Sequence, residues 1–202
     1  LKWIKSNLKN KISLIFFLII SILLSIFIIN SFNVNFLLNT ILVASAFFLF
    51  FVSIKDLLNK GFKNYSQSMA HFGFSLFILS ILFNNFLSTE IITNLKVGET
   101  FENSKTKIVF ESINQKKEKN YNSIIANFHI RNFKGEVEKL SPELRIYNQP
   151  VIVTSEADIK TTFISDKFIV INLVQNQDFF NVRYQVKPFM IWIWLSVLLI
   201  SF

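Results

Sequence analysis

The chain has 202 residues, of which 25 are Phe, none is Cys, 51% are hydrophobic and 17% are charged. Zero cysteines exclude a disulfide-stabilised scaffold, a thiolate metal site and covalent haem attachment within this chain. The mean hydropathy of +0.44 is far above that of a soluble domain. Of the formal net charge of +8, a surplus of +6 falls in residues 1–86, beside apolar runs. Basic residues in such positions orient a membrane protein, so the charge argues against a nucleic-acid partner.

The first membrane span is predicted at residues 12–29, which are 18 in a row without a charge. At 1.5 Å per residue this run makes a helix of roughly 27 Å, close to the thickness of the hydrocarbon layer. Lys2, Lys5, Lys9 and Lys11 precede it. The run is too long for a secretory signal, and no small-residue cleavage site follows it. The positive flank predicts an N-terminus in the cytoplasm, or in the matrix for an organelle.

The second and third spans are predicted at residues 36–54 and 69–86. A short neutral segment, 30–35, separates the first two spans and predicts a tight outer hairpin. Lys55, Lys60 and Lys63 mark an inner loop before the third span. The third span then returns the chain to the outside, so residues 1–86 form one membrane domain.

A last apolar run covers residues 188–202 and stops without a basic residue beyond it. Trp192 and Trp194, with Tyr184 and Lys187 just before, are typical of an interfacial belt. This run predicts a fourth, truncated span. Because the chain begins at Leu1 and stops inside an apolar run, we expect it to be a fragment of a larger protein, split or truncated.

Residues 87–187 carry mixed charge and alternate between apolar and polar side chains, as half-buried strands do. The alternation is clear at residues 107–113, 126–131, 167–174 and 180–186, with turn residues at 114–120 and 134–135. The predicted fold class is therefore a membrane α-helical bundle of four spans with an inserted external all-β domain, a sandwich or a partly open barrel. Both ends of this domain are membrane anchors, so it is expected to lie close to the bilayer.

Only two histidines offer imidazole chemistry. His129 lies on the polar side of a predicted strand, where a solvated side chain is the ordinary interpretation. His71 falls one turn into the third span, where an ionisable group carries a functional presumption and a neutral imidazole is a good iron ligand. The alternative is an interfacial His71 that bonds headgroups or a neighbouring helix. Ser75, four residues on, is a candidate partner for the second ring nitrogen.

Other features of the sequence favour structural roles. Ala70, Gly73 and Ser80 form a small-residue stripe at which another helix can approach closely. No Gly-rich phosphate loop, nucleophile elbow or HExxH motif is present. Acids such as Glu143, Glu156 and Asp166 fall in the mixed-charge region, where a surface position is the default.

An ordered set of motifs resembles the C-terminal part of the CcmF family, the haem lyase component of the multi-subunit cytochrome c maturation system. The set covers roughly residues 66–202. It consists of MAHFG at 69–73, GE at 98–99, LSPELRIY at 140–147, TSEADI at 154–159, VRY at 182–184, KPF at 187–189 and WIWL at 192–195.

The resemblance implies a part in joining haem, delivered by a haem-carrying chaperone, to apocytochrome c. It also implies a separate b-type haem in the membrane, for which His71 matches one axial ligand. The second haem ligand, the Trp-rich external loop and the external histidines have no counterpart here, so the fragment alone is not expected to be active. The implied partners are membrane lipid, the rest of the same protein, other maturation subunits and apocytochrome c. The implied location is the bacterial inner membrane with a periplasmic β domain, or the mitochondrial inner membrane.

Two further alternatives stay open at this point. Residues 142–147 predict a turn entering a strand, in which Arg145 pairs with Glu143 or Glu156; the pairing is either structural or part of a docking surface. The second candidate function is a membrane-anchored scaffold whose external β module binds a partner without a cofactor. A transporter is less favoured, because the spans contain no Pro-broken helices and no paired charges.

Overall fold

The computed structural model of the chain describes residues 2–31, 36–59, 65–133, 135–174 and 177–201, with side chains from residue 10 onward. The chain divides into two compact units. A helical unit comprises Leu1–Leu87 and Phe189–Phe202, and a β unit comprises Ser88–Pro188. Several predicted features lie wholly or partly outside the described residues: the outer hairpin at 30–35, Lys60, Lys63, Lys134 and the side chains of Lys2, Lys5 and Lys9.

The helical unit contains α1 (Lys2–Ile29), α2 (Phe36–Asn59), α3 (Tyr65–Leu87) and α4 (Met190–Ile200). The first three helices are long and apolar enough to cross a membrane, and α4 is a shorter apolar helix. Helices packed in sequence order give the pairs α1–α2, α2–α3 and α3–α4. Each of the first three helices extends beyond the charge-free run that predicted it, since polar residues at a helix end remain hydrogen-bonded within the helix.

Many small polar side chains lie in the interior of the helical unit, together with the apolar Ile29, Val43, Ala46 and Leu79, while many large apolar side chains face outward. Among the residues whose side chains are described, the buried serines of the helical unit are Ser21, Ser25, Ser53, Ser68, Ser75, Ser80 and Ser196. Most of their hydroxyls donate to a carbonyl three or four residues back, as Ser53 does to Leu49 at 2.7 Å. Phe27, by contrast, is 75% exposed and Leu37 is 72% exposed. This distribution is the reverse of a water-soluble bundle and is typical of helices packed in lipid.

The described residues of the β unit form ten strands, all paired antiparallel with their neighbours. They are β1 (Thr89–Leu95), β2 (Thr100–Glu102), β3 (Thr106–Lys117), β4 (Tyr121–Asn132), β5 (Val137–Leu140), β6 (Glu143–Asn148), β7 (Val151–Glu156), β8 (Asp158–Thr161), β9 (Ser165–Leu173) and β10 (Phe180–Pro188). A four-stranded sheet has the order β1-β10-β9-β8. A six-stranded sheet has the order β2-β3-β4-β6-β7, with β5 paired to the end of β4.

The two sheets share one hydrophobic core, so the β unit is a sandwich. Phe110 and Phe128, on neighbouring strands of the larger sheet, stack with ring centroids 4.5 Å apart. Phe180 of the smaller sheet meets Phe110 edge-on at 5.7 Å. Ile169 and Val182 of the smaller sheet are fully buried in the same cluster. These residues occupy alternate positions of their strands, which is why the period-two pattern predicted the unit.

The turn predicted at residues 114–120 is mostly strand. β3 continues through Lys117, and its polar residues pair in register with β4, from Asn114 opposite Ile125 to Lys117 opposite Asn122. A register shift between Phe110 and Ser112 precedes this arm. Residues 114–117 pair with β4 through main-chain hydrogen bonds, which do not depend on whether the side chains are apolar. The prediction of a turn here, which was based on composition, is therefore wrong.

Candidate functional site

His71 lies in the second turn of α3, on the outward face of the helical unit. Phe74, one helical turn further along the same face, is 52% exposed. Among the described residues, no hydrogen bond or ion pair of His71 is found. The structure therefore leaves both ring nitrogens open, beside an apolar surface.

The opposite face of α3 is closed by α4. A Cβ atom added to Gly73 would lie 2.9 Å from the main-chain nitrogen of Ile200 and 3.0 Å from the carbonyl oxygen of Ser196. Contacts that short with main-chain atoms cannot be relieved by a side-chain rotation. The predicted close approach of another helix is thus confirmed at Gly73, and Ser80 is also buried.

Ser75 belongs to the buried face rather than to the face of His71. Its side chain is 0% exposed, and its hydroxyl donates to the carbonyl of Phe72 at 2.8 Å. That bond uses the only hydroxyl proton and leaves lone pairs that can accept one more bond. No bond between Ser75 and His71 is present in the described part of the chain, so the supporting role of Ser75 stays a prediction.

Glu143, Arg145 and Glu156 come together on the outer face of the six-stranded sheet. Arg145 Nη2 lies 3.0 Å from Glu143 Oε2, and Nη1 lies 3.8 Å from Glu156 Oε1. Register explains the triad, because Glu143 pairs directly with Glu156 across β6 and β7. The guanidinium carbon also lies 5.2 Å from the centre of the Tyr121 ring. The predicted pairing of Arg145 with Glu143 or Glu156 is confirmed for both acids.

Electrostatic interactions favour the charged forms of Glu143 and Arg145. The hydrogen bond from Arg145 lowers the pKa of Glu143, against a smaller opposing effect of burial. The bond to Glu143 in turn raises the pKa of Arg145. Glu143 and Arg145 thus each stabilise the charged form of the other, and the contact between Arg145 and Glu156 links β6 to β7, so the cluster is suited to holding two strands together.

Three hydrogen bonds that the sequence did not predict support the same motif segments. The main-chain N–H of Ser141 donates to Asp158 Oδ2 at 2.6 Å. The Ser141 hydroxyl donates to Asn127 Oδ1 at 3.0 Å, and Asn127 Nδ2 donates to Ser112 at 3.1 Å. Asp158 begins a strand of the smaller sheet, whereas Ser141 lies before β6 of the larger one. The hydrogen bond between Ser141 and Asp158 thus joins the two sheets.

The second histidine has a partner in the β unit. His129 Nε2 lies 2.9 Å from Glu111 Oε2, and the side chain of His129 is 37% exposed. His129 is therefore a half-buried, paired surface residue. Asp166, the remaining acid noted in the sequence, has one carboxylate oxygen buried without a hydrogen-bond partner among the described residues.

In the described part of the chain, no three His, Asp or Glu side chains lie together as possible ligands for a bare metal ion. An outward imidazole on an apolar helix would be able to hold a haem iron, because a haem needs few ligands from the protein. His71 fits that limited role. A second axial ligand would have to come from residues other than those described here.

Comparison with known proteins identifies the family. The model of the CcmF C-terminal beta-sandwich matches residues 86–188, about half of the chain. This chain belongs to the CcmF family. The matched residues include Glu143, Arg145 and Glu156 and leave His71 outside.

Curated relatives of CcmF type extend the similarity to more of the chain. The cytochrome c-type biogenesis protein ccl1 of Rhodobacter capsulatus is 31% identical over 139 residues, which is 69% of this chain and 21% of the relative. The cytochrome c-type biogenesis protein CcmF of Pseudomonas aeruginosa is 27% identical over 137 residues, 68% of this chain and 21% of the relative. The chain thus spans about a fifth of the length of these relatives.

A solved structure shares the fold. The cytochrome c haem lyase CcmF superposes with a TM-score of 0.64 at 16% identity, over 91% of this chain and 32% of that chain. The chain therefore shares the fold of that structure. The described residues include three helices long and apolar enough to cross a membrane, and with the CcmF family match they make the chain a membrane protein.

Proposed function

We propose that this CcmF-family chain is the C-terminal part of a haem lyase component of cytochrome c maturation and helps attach haem to apocytochrome c. Within it, His71 provides one axial ligand of a b-type haem in the membrane. The observation that carries the proposal is the family match over residues 86–188, joined to an apolar helix that presents a lone imidazole.

The surroundings of His71 support its role as a ligand. The helix that carries it contains no Asp, Glu, Lys or Arg, so no charge competes for the imidazole within α3. The outward position leaves the ring accessible, and Phe74 beside it offers an apolar surface of the kind that a porphyrin face contacts. When bound, such a haem supplies one-electron chemistry inside the membrane. His71 would hold the iron, and Gly73, by fixing α3 against α4, would hold the imidazole in place.

The placement of charge supports a β unit outside the cytoplasm. Lys55 Nζ near the end of α2 donates to Asn10 Oδ1 near the start of α1 at 3.4 Å, so the lysine-rich ends of the two helices lie together. Under the positive-inside rule this end is cytoplasmic. The chain begins α3 at the same side and ends it at Leu87, just before β1. We infer that the β unit is on the periplasmic side of a bacterial inner membrane, or the equivalent side of a mitochondrial one.

Partners follow from the same proposal. A chain that spans about a fifth of its relatives' length needs the remaining segments of the haem lyase to complete the second ligand and the substrate-haem site. The other expected partners are further maturation subunits, including the haem chaperone, and apocytochrome c.

The test is His71→Ala in the chain produced together with the remaining maturation subunits in a membrane host. The expected results are loss of the b-type bis-histidine absorption spectrum and loss of cytochrome c maturation. Unchanged haem content and maturation in His71→Ala would show that the ligand assignment is wrong.

His129→Ala is the matched control, because it removes the only other imidazole from the β unit by the same chemical change. It is expected to keep the haem spectrum. A cofactor-free scaffold would instead give the same spectrum for the parent chain and for both variants.

A further inference from the structure

Two large apolar side chains, Phe163 and Ile164, are exposed in the turn between β8 and β9. They are 64% and 67% exposed. The turn itself is well ordered: Thr162 N–H donates to the Ser165 carbonyl at 3.0 Å, and Ser165 N–H donates to Thr162 Oγ1 at 3.1 Å. Turns usually carry polar residues. A closed turn that holds adjacent hydrophobic side chains outward indicates a non-aqueous binding partner.

The register of the smaller sheet locates this turn. Ser165 pairs with Pro188, the last residue of β10, and Val186 pairs with Thr89, the first residue of β1. The turn is therefore at the end of the sheet where the chain enters and leaves the β unit. One residue, Ser88, separates β1 from α3, which is long enough to span a membrane. At roughly 3.8 Å per residue, chain connectivity alone keeps this sheet end within a short reach of the bilayer.

A second exposed aromatic residue lies at the same end of the larger sheet. Phe133, in the turn after β4, is 75% exposed. The ion pair between Lys167 Nζ and Glu138 Oε1, at 2.8 Å, aligns the two sheets. Glu138 pairs with Ile130, near the end of β4, while Lys167 pairs with Val186, near the end of β10. Both exposed aromatic turns therefore extend from one end of the sandwich.

Basic side chains flank the turn that carries Phe133. Lys105 and Arg131 are both exposed. Each is next in sequence to a member of the Thr106–Asn132 pair, so both lie where β3 begins and β4 ends. Aromatic and aliphatic tips with Lys and Arg beside them are the composition that binds the membrane–water interface.

We propose that this end of the β unit is a lipid-binding surface. Phe163 and Ile164 enter the interfacial region of the bilayer, Phe133 adds a second contact, and Lys105 and Arg131 approach the phosphate groups of the lipids. The partner is the phospholipid bilayer itself, and the surface limits the tilting of the β unit about its two short connections.

The opposite end of the sandwich supplies a matched reference. Val151 follows the turn after β6 and is 81% exposed. It pairs with Asn148, and the neighbouring Tyr147 pairs with Tyr121 at the start of β4. Val151 is thus as apolar and as exposed as Ile164, but lies at the end of the larger sheet away from Phe133.

The experiment uses the absence of native cysteine. Ile164→Cys and Val151→Cys are each labelled with a polarity-sensitive fluorophore, and the full chain is placed in phosphatidylcholine–phosphatidylglycerol nanodiscs. Quenching is measured with nitroxide-labelled lipid and with aqueous iodide. For position 164 we expect blue-shifted emission, loss of most fluorescence to lipid nitroxide and little loss to iodide. For position 151 we expect the reverse.

Two results would overturn the proposal. Equal iodide quenching at positions 164 and 151, with no effect of lipid nitroxide, would place the turn in water. Protection of position 164 from both quenchers would show that protein covers the turn. Circular dichroism of both labelled variants checks that the fold is retained. Both labelled positions are exposed, at 67% for Ile164 and 81% for Val151. The readout is independent of haem, so it does not depend on the role of His71.

Discussion

Asp158 accepts a hydrogen bond from the main-chain N–H of Ser141 at 2.6 Å, and so joins the two sheets of the β unit. Ser141 belongs to the LSPELRIY segment and Asp158 to the TSEADI segment. Pro142, between Ser141 and β6, is fully buried, and its carbonyl accepts from Ala126 at 3.0 Å. These two segments are thus physically coupled.

Replacing Asp158 is expected to loosen this junction. Asp158→Ala leaves the Ser141 N–H without its carboxylate acceptor and should lower the free energy of unfolding by about 1–3 kcal/mol. Hydrogen exchange read by mass spectrometry should show faster exchange in peptides that contain Ser141. Asp178→Ala, the same change at an exposed position, should have no such effect. Identical exchange in the two variants would mean that the contact contributes nothing.

The Glu138–Lys167 pair should make the stability of the β unit depend on pH. The side chains are only 13% and 17% exposed. Burial raises the pKa of Glu138, but the bond from Lys167 and the nearby charge of Lys160 together lower it further, so that the net pKa is below its ordinary value. A lowered folded-state pKa stabilises the fold above the ordinary Glu pKa of about 4.3. That stabilisation is lost as the pH falls through the lower folded-state value.

Glu138→Gln tests this pair. At pH 7 the variant should unfold with a free energy about 1–3 kcal/mol lower than the parent, and the difference should shrink as the pH drops below about 4. Glu118→Gln is the control, because its partner Lys116 is 66% exposed and exposed pairs contribute little. A difference that stays constant across this pH range would exclude ionisation of Glu138 as the cause.

The helices and strands were predictable from the sequence wherever a local pattern of apolar and polar residues marks them. Runs without charge located the spans, and period-two alternation located β3, β4, β9 and β10. The Ser141–Asp158 contact was not predictable, because it joins strands of different sheets and depends on how the sheets pack. The support of His71 by Ser75 stays a prediction: residues four apart lie on one broad side of a helix, and the structure buries Ser75 while it exposes His71.

Arg145 is expected to stabilise the sandwich rather than to bind a partner. Arg145→Gln removes the cation between Glu143 and Glu156 and should lower the unfolding temperature at neutral pH. The loss should diminish in acid, because protonated carboxyl groups no longer repel each other. Arg131→Gln, at an exposed position on the neighbouring strand β4, should leave the unfolding temperature unchanged. Normal stability of Arg145→Gln combined with lost cytochrome c maturation would instead favour the docking interpretation.

Gly73 should be the least replaceable position of α3. Its missing side chain allows Ser196 and Ile200 of α4 to approach, and an added methyl group would meet main-chain atoms at 2.9 and 3.0 Å. Gly73→Ala gains helix propensity of up to about 1 kcal/mol, but over-packing against a main chain that cannot rotate away costs about 1–3 kcal/mol. The clash should therefore dominate, and thermal unfolding in nanodiscs should begin at a lower temperature. Phe74→Leu, a change on the adjacent exposed face, should leave unfolding unaltered. An equal or higher unfolding temperature for Gly73→Ala would show that α4 yields to the methyl group, and that α3 is not held by this contact.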